Sequence, residues 1–148
     1  GGVESLPYQF SFSTATSPRG MWVSPDGYFL YLSDRSDGVV EIPLSTPYDL
    51  STSGTATTFS LGSGSQLDDV WLNPSGTTML LTTKGSTLST VRQYDLSTAY
   101  DISTAAHVVT VLVGDRIVAP TTPAIVSTDA TKLWVGGRNG KVIQYNLV

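Results

Sequence analysis

Three stretches of the chain share one pattern: a few apolar positions, a polar turn, then a second apolar run. They are MWVSPDGYFLYLS (Met21 to Ser33), VWLNPSGTTMLLT (Val70 to Thr82) and AIVSTDATKLWVG (Ala124 to Gly136). Short apolar runs flanking a turn signal predict β-hairpins. In SPDG and NPSG the proline presets φ and the glycine permits the positive φ that a tight turn needs. STDA keeps the aspartate and loses both, so the third turn is degenerate. A third run follows each hairpin: VVEIPLS (Val39 to Ser45), VRQYDLS (Val91 to Ser97) and VIQYNLV (Val142 to Val148). Alternation in the last two predicts strands, with Val91, Gln93 and Asp95 on one face and Arg92, Tyr94 and Leu96 on the other.

These runs are copies of one unit. Trp22 aligns with Trp71 (71 − 22 = 49) and Trp71 with Ile125 (125 − 71 = 54). Ile42, Tyr94 and Tyr145 align, as do Leu44, Leu96 and Leu147. A fourth run completes the first two copies, TATTFSLG (Thr55 to Gly62) and HVVTVLVG (His107 to Gly114). The third copy has none after it, yet the chain begins with PYQFSFST (Pro7 to Thr14), whose Phe10 and Phe12 match Phe59 and Leu61. Four strands per repeat, a period near 50 and a displaced terminal strand predict blades of a β-propeller. The expected architecture is all-β, a single domain over 1–148. It has a closing outer strand at 1–14, then three four-stranded antiparallel blades at 15–65, 66–118 and 119–148, the N-terminal strand completing the last. No stretch predicts a helix of useful length. Repeat-equivalent apolar residues are the expected core: Trp22, Trp71, Leu30, Leu80, Leu133, Leu44, Leu96 and Leu147.

One phrase is doubled. YDLSTAYDIST (Tyr94 to Thr104) repeats the words of PLSTPYDLST (Pro43 to Thr52). It reads as the end of a third strand plus a polar loop to the fourth, with Asp, Ser and Thr bonding nearby backbone N–H groups.

Composition narrows the function classes. The 148 residues suffice for one domain with a core. Hydrophobic residues make up 40% and mean hydropathy is +0.06, a globular balance. Charged residues are 14%, against about 25% on average. Threonine fills much of the difference and suits a pleated surface. The net charge of −4 and the lack of a basic run disfavour nucleic acid as a partner. Without cysteine there can be no disulfide, thiolate metal site or cysteine nucleophile. No apolar run approaches the about 20 residues of a membrane span, so no membrane partner is expected. GGVESLPYQF has no basic segment followed by an apolar one and is not read as a signal peptide.

SPDGYFLYLSDRSDGVVEIPLSTPYDLST, VRQYDLSTAYDIST and TDATKLWVGGRNGKVIQYNL together resemble the propeller repeats of bacteriophage virion structural proteins and of large bacterial surface proteins. The resemblance spans nearly the whole chain and implies a non-enzymatic structural or interaction module, in a virion or on a cell surface. No catalytic motif of a propeller enzyme carries over. Three blades, however, are fewer than the about 4–8 that close a ring. Either the sequence is a piece of a longer polypeptide or copies associate to finish the ring; two copies supply six blades, and a homodimer tied by exchange of the N-terminal strand is the favoured expectation.

Individual residues add little chemistry. His107 is the only histidine, and no Ser-His-Asp set forms around it. DRSDG (Asp34 to Gly38) has two carboxylates but lacks the alternating oxygens of a calcium loop and reads as an Asp/Gly turn. LDDVW puts Asp68 and Asp69 at the entry of an innermost strand, where the first repeat has Arg19 and Gly20. Arg19, Asp68 and Asp69 are therefore the candidate ligand contacts at a channel mouth, against a plainer role for the aspartates as a solvated rim or in a hydrogen bond between blades. Trp22, Trp71 and Trp134, with Tyr28, Tyr31, Tyr94 and Tyr145, could stack on sugars but more simply form core. GGRNGK (Gly136 to Lys141) joins two strands and is a hairpin turn rather than a phosphate cradle. Asn73 is followed by proline and is no glycosylation acceptor. The expected function is a structural or interaction module with no catalytic residue, cofactor or metal. Its partners would be itself and either a glycan or another virion or surface protein. A lectin-like propeller ranks second. A propeller hydrolase or lyase ranks third, with one histidine to support it.

Overall fold

The structure, a computed structural model, describes residues 15, 17–36, 38–62, 66–84, 89–113, 125–127, 131–136 and 142–147. Eleven strands form three antiparallel sheets among them. Sheet 1 holds β1 (Pro18–Val23), β2 (Phe29–Asp34), β3 (Gly38–Pro43) and β4 (Thr57–Phe59), each paired with the next in chain order. Sheet 2 repeats that order with β5 (Gln66–Leu72), β6 (Thr78–Lys84), β7 (Ser89–Leu96) and β8 (Ala105–Leu112). Sheet 3 is three-stranded, β9 (Ile125–Val126), β10 (Lys132–Gly136) and β11 (Val142–Asn146). The all-β expectation holds. The only helical pieces described are two 3-10 turns, Leu50–Thr52 and Ile102–Thr104. The proposed closing strand at 1–14 lies outside the described residues.

The repeat is accurate to the register. Trp22 pairs with Tyr31 in sheet 1 and Trp71 with Leu80 in sheet 2. A bulge interrupts the inner strand at the same place in both, between Pro18 and Met21 and between Leu67 and Asp69. The first residue of each hairpin turn satisfies the turn's backbone. Ser24 Oγ accepts from the Phe29 N–H (2.9 Å), Asn73 Oδ1 from Thr77 and Thr78 (2.8 and 3.0 Å), and Ser127 Oγ from Thr131 and Lys132 (3.1 and 2.9 Å). The third turn therefore keeps its anchor although proline and glycine are gone.

The sheets pack face to face in chain order. The downstream face of sheet 1 offers Tyr31 and Val39, with Phe29 and Phe59 beside them. The upstream face of sheet 2 meets it with Val70, Leu72, Met79, Leu81, Tyr94 and Leu96. Sheet 2 in turn packs Val91 and Val113 against Leu133 and Val135 of sheet 3. The middle strand β6 is thus covered on both sides, and Met79, Leu80, Leu81, Thr82 and Thr83 are all buried. Of the expected core, Leu30, Leu44, Leu80, Leu96 and Leu133 are buried. Trp22, Trp71 and Leu147 are only half-buried, because each sits near a sheet margin where the neighbour covers one flank.

Candidate functional site

The doubled phrase turns out to be a clasp. Tyr48 and Tyr100 adopt the left-handed backbone region, with φ of 61° and 66°. That turns each ring back over the glycine of its own hairpin turn. A Cβ on Gly27 would lie 2.6 Å from the Tyr48 ring, and one on Gly76 would lie 2.5 Å from the Tyr100 ring. The ring leaves no room for a side chain, and both glycines also have positive φ. The two phenols donate to the Pro25 and Pro74 carbonyls. The two tyrosine N–H groups donate to the Gly27 and Gly76 carbonyls at 2.9 and 2.8 Å. The following aspartates cap the 3-10 turns. Asp49 Oδ1 accepts from the Ser51 N–H and hydroxyl (3.0 and 2.6 Å), and Asp101 Oδ1 from those of Ser103 (2.9 and 2.6 Å). Thr52 and Thr104 close the loop by donating to the Asp49 and Asp101 carbonyls, each at 2.8 Å.

In the second repeat this clasp also grips the preceding sheet. The Tyr100 ring stacks on Phe29, with centroids 5.4 Å apart and planes 13° from parallel, and lies 6.5 Å from Trp22. The Tyr31 phenol donates to the Tyr100 carbonyl at 2.5 Å. Burial, and then the nearby Glu41 carboxylate, push the Tyr31 phenol far above its ordinary range, so it stays a neutral donor. Glu41, itself buried, accepts from the Ile102 N–H at 2.8 Å. Its carboxyl is raised, chiefly by burial; the Ile102 bond pulls the other way, and Asp101 adds to the rise. Tyr100 and Glu41 thus tie sheet 2 to sheet 1, and neither was singled out from the sequence. The signal was there for Tyr100: the tyrosines of TPYDLST and TAYDIST stand 52 residues apart (100 − 48), at matched places in the repeat.

The three candidate contacts fall at the bulged inner strands. Arg19 is exposed on β1, Asp68 is half-buried on β5, and Asp69 is buried on β5. Asp69 packs directly against Gly20, and a Cβ there would collide with its Oδ1. Glycine at that place in the first repeat admits the second repeat's carboxylate, so Asp69 belongs to the junction between the sheets. Ser33 Oγ sits across the same junction. It accepts from the Gly20 N–H (2.6 Å) and lies 3.2 Å from the Asp68 carbonyl. Beside it Asp34 is fully buried and accepts from the Ser17 and Ser36 N–H groups (2.6 and 2.8 Å). Arg35 donates to Gln66 at 2.7 Å, from one sheet to the other. Asp34 thus serves the DRSDG turn itself, while Asp37 lies outside the described residues.

His107 is exposed on β8, hydrogen-bonded to Thr110 (2.8 Å) and edge-on to Tyr94. Three strand spacings, about 14 Å, separate β8 from β5. Among the described residues no three His, Asp or Glu side chains gather as a metal site would need. The aromatics are used within the fold: Trp22 contacts Tyr31 and Tyr100, Tyr94 contacts Phe59, and Trp134 Nε1 donates to Gln144 at 3.0 Å. An apolar cleft opens between sheets 2 and 3, lined by Leu80, Val91, Val109, Val111, Tyr145 and Leu147 among others. Comparison of the chain with protein-family models and with curated proteins gives no match.

Proposed function

We propose that this chain is a non-enzymatic β-propeller module with a structural or interaction role, of the kind used in virion or bacterial surface assemblies. The observation that carries the reading is the use to which the repeated polar residues are put. In two successive sheets Tyr, Asp, Ser and Thr of the YDLST phrase close the same loop over the same turn. In the second sheet the same phrase also grips the first, through the Tyr100 ring on Phe29 and the Ile102 N–H on Glu41, as a repeat scaffold requires. Asp69, the best buried of the candidate contacts, is likewise taken up in a sheet junction. In this reading the three sheets are blades, the N-terminal strand at 1–14 completes the third, and two chains make a six-bladed ring.

The test is a paired screen of the purified chain. A glycan array should show no binding, and a panel of glycosidase and lyase substrates should show no turnover. Glycan binding abolished by Asp69→Asn or Arg19→Ala would replace the reading with the lectin-like one.

A further inference from the structure

The junction between sheets 1 and 2 has two halves, and part of each has exposed counterparts, on the inner edge of sheet 1 and on one face of sheet 3. The inner part of the upstream half is built in sheet 2 from Val70, Leu72 and Tyr100. The matching residues of sheet 1 are Met21, Val23 and Tyr48, as the shared register of β1 with β2 and of β5 with β6 shows. Val70 and Leu72 are buried, whereas Met21 is 66% and Tyr48 66% exposed. The outer part of the same face, Leu30, Leu32, Val40 and Ile42, is buried, so the uncovered region is the inner edge and the Tyr48 turn. The downstream half is built in sheet 1 from Trp22, Tyr31, Val39 and Glu41. Their counterparts in sheet 3 are Ile125, Trp134, Val142 and Gln144, which share one face of β9, β10 and β11. Val39 is 0% exposed and its sheet 2 counterpart Val91 is 4%, yet Val142 is 70% and Ile125 62% exposed.

We infer that the inner edge of sheet 1 seats on the downstream face of sheet 3 of a second copy, two such seams closing a dimer. The inference rests on the propeller reading and names the contacts that make it. The occupant follows from continuity with the junction already formed inside the chain. The exposed inner edge of sheet 1 and the exposed face of sheet 3 are repeat-equivalents of surfaces that meet in that junction, so one chain carries both the knob and its socket. Tyr48 takes against Ile125 and Trp134 the place that Tyr100 takes against Trp22 and Tyr31. Gln144 presents an amide oxygen to the Leu50 N–H, as Glu41 presents a carboxylate oxygen to Ile102. A head-to-tail contact of this kind closes only when the rotation per copy allows it; in this reading two copies of three sheets make a six-sheet ring.

The chain has no cysteine, so single engineered thiols report cleanly. Tyr48→Cys and Ile125→Cys chains, each checked for unchanged β circular dichroism, are mixed and treated with a short bismaleimide. The mixture should give a cross-linked pair that neither variant gives alone. Light scattering of the intact chain should give twice 15.7 kDa. Met21→Lys and Val142→Lys, both at exposed positions, should each return the mass to 15.7 kDa without loss of the β spectrum. A cooperatively melting monomer, a third copy in the particle, or lysine variants that stay dimeric would overturn the seam. A monomer would leave the non-enzymatic reading in place, since the glycan and substrate screens decide that independently.

Discussion

Gly76 and Tyr100 show how a polar phrase can be structural. The glycine has φ of 69°, and the ring covers the spot a methyl group would occupy. Gly76→Ala therefore combines left-handed strain with a collision and should cost about 1–3 kcal/mol in chemical denaturation. A change inside measurement error would mean that the Tyr100 ring moves aside freely. Glu41 carries a second expectation at this scale. Its carboxyl is raised in the folded state, so the folded chain holds its proton more firmly than the unfolded chain does. That contribution is fully present at low pH. It declines as pH climbs from the ordinary carboxylate range through Glu41's raised value, and is lost above it. Glu41→Gln keeps an oxygen for the Ile102 N–H and removes the buried charge, as Gln93 does at the matching place in the second repeat. It should leave stability at neutral pH equal or higher and remove this part of the pH slope. Glu41→Met leaves the Ile102 N–H without its partner and should cost about 1–3 kcal/mol. Equal pH slopes in wild type and Glu41→Gln would show that Glu41 does not carry the effect.

At the scale of the element, β6 and its flanking strands differ in how far packing reaches. Leu81 is fully buried in a strand covered on both faces, so Leu81→Ala should cost about 2–5 kcal/mol. Trp71 lies one strand away at the inner margin and is half-buried. Trp71→Ala should fall below the about 3–5 kcal/mol of a fully enclosed tryptophan. If the tryptophan change proved the larger of the two in the same denaturation series, the sheet margins would be more enclosed than described. The outer strand β8 shows the opposite extreme. Val109 and Val111, on the same face as Val91, are exposed, because sheet 3 brings no described outer strand or 3-10 turn over them. In sheet 1 the equivalent Phe59 is packed against Tyr94 of the next sheet at 5.2 Å.

For the whole molecule, the exposed Val109 and Val111 of β8 and the edge strand β11 mark where the proposed completing strand would lie. The proposed completing strand is PYQFSFST, whose Phe10 and Phe12 match Phe59 and Leu61. Removing residues 1–14 should then abolish assembly, with light scattering returning the mass of a single shortened chain. An oligomer of unchanged copy number would rule out that strand as part of the closure.

The hairpins, the four-strand repeat and the all-β class were legible in the sequence because each rests on local physics. Alternation follows from the two-residue period of a strand, and turn residues declare their own φ. Most of the repeat-equivalent leucines were legible for the same reason, since equivalent positions meet equivalent neighbours. What a residue touches across a sheet junction is not local, and only the tertiary structure decided it. Asp69 read as a candidate channel-mouth contact, with a solvated rim or a hydrogen bond between blades as the plainer role; the residue it packs on, Gly20, 49 residues away (69 − 20), came only from the structure. Tyr100 and Glu41 read as loop and strand residues because their partners, Phe29 and Ile102, come from the other repeat. The half-burial of Trp22 and Trp71 was equally out of reach, because a sequence period shows which face a residue is on but not how far the next sheet extends over it.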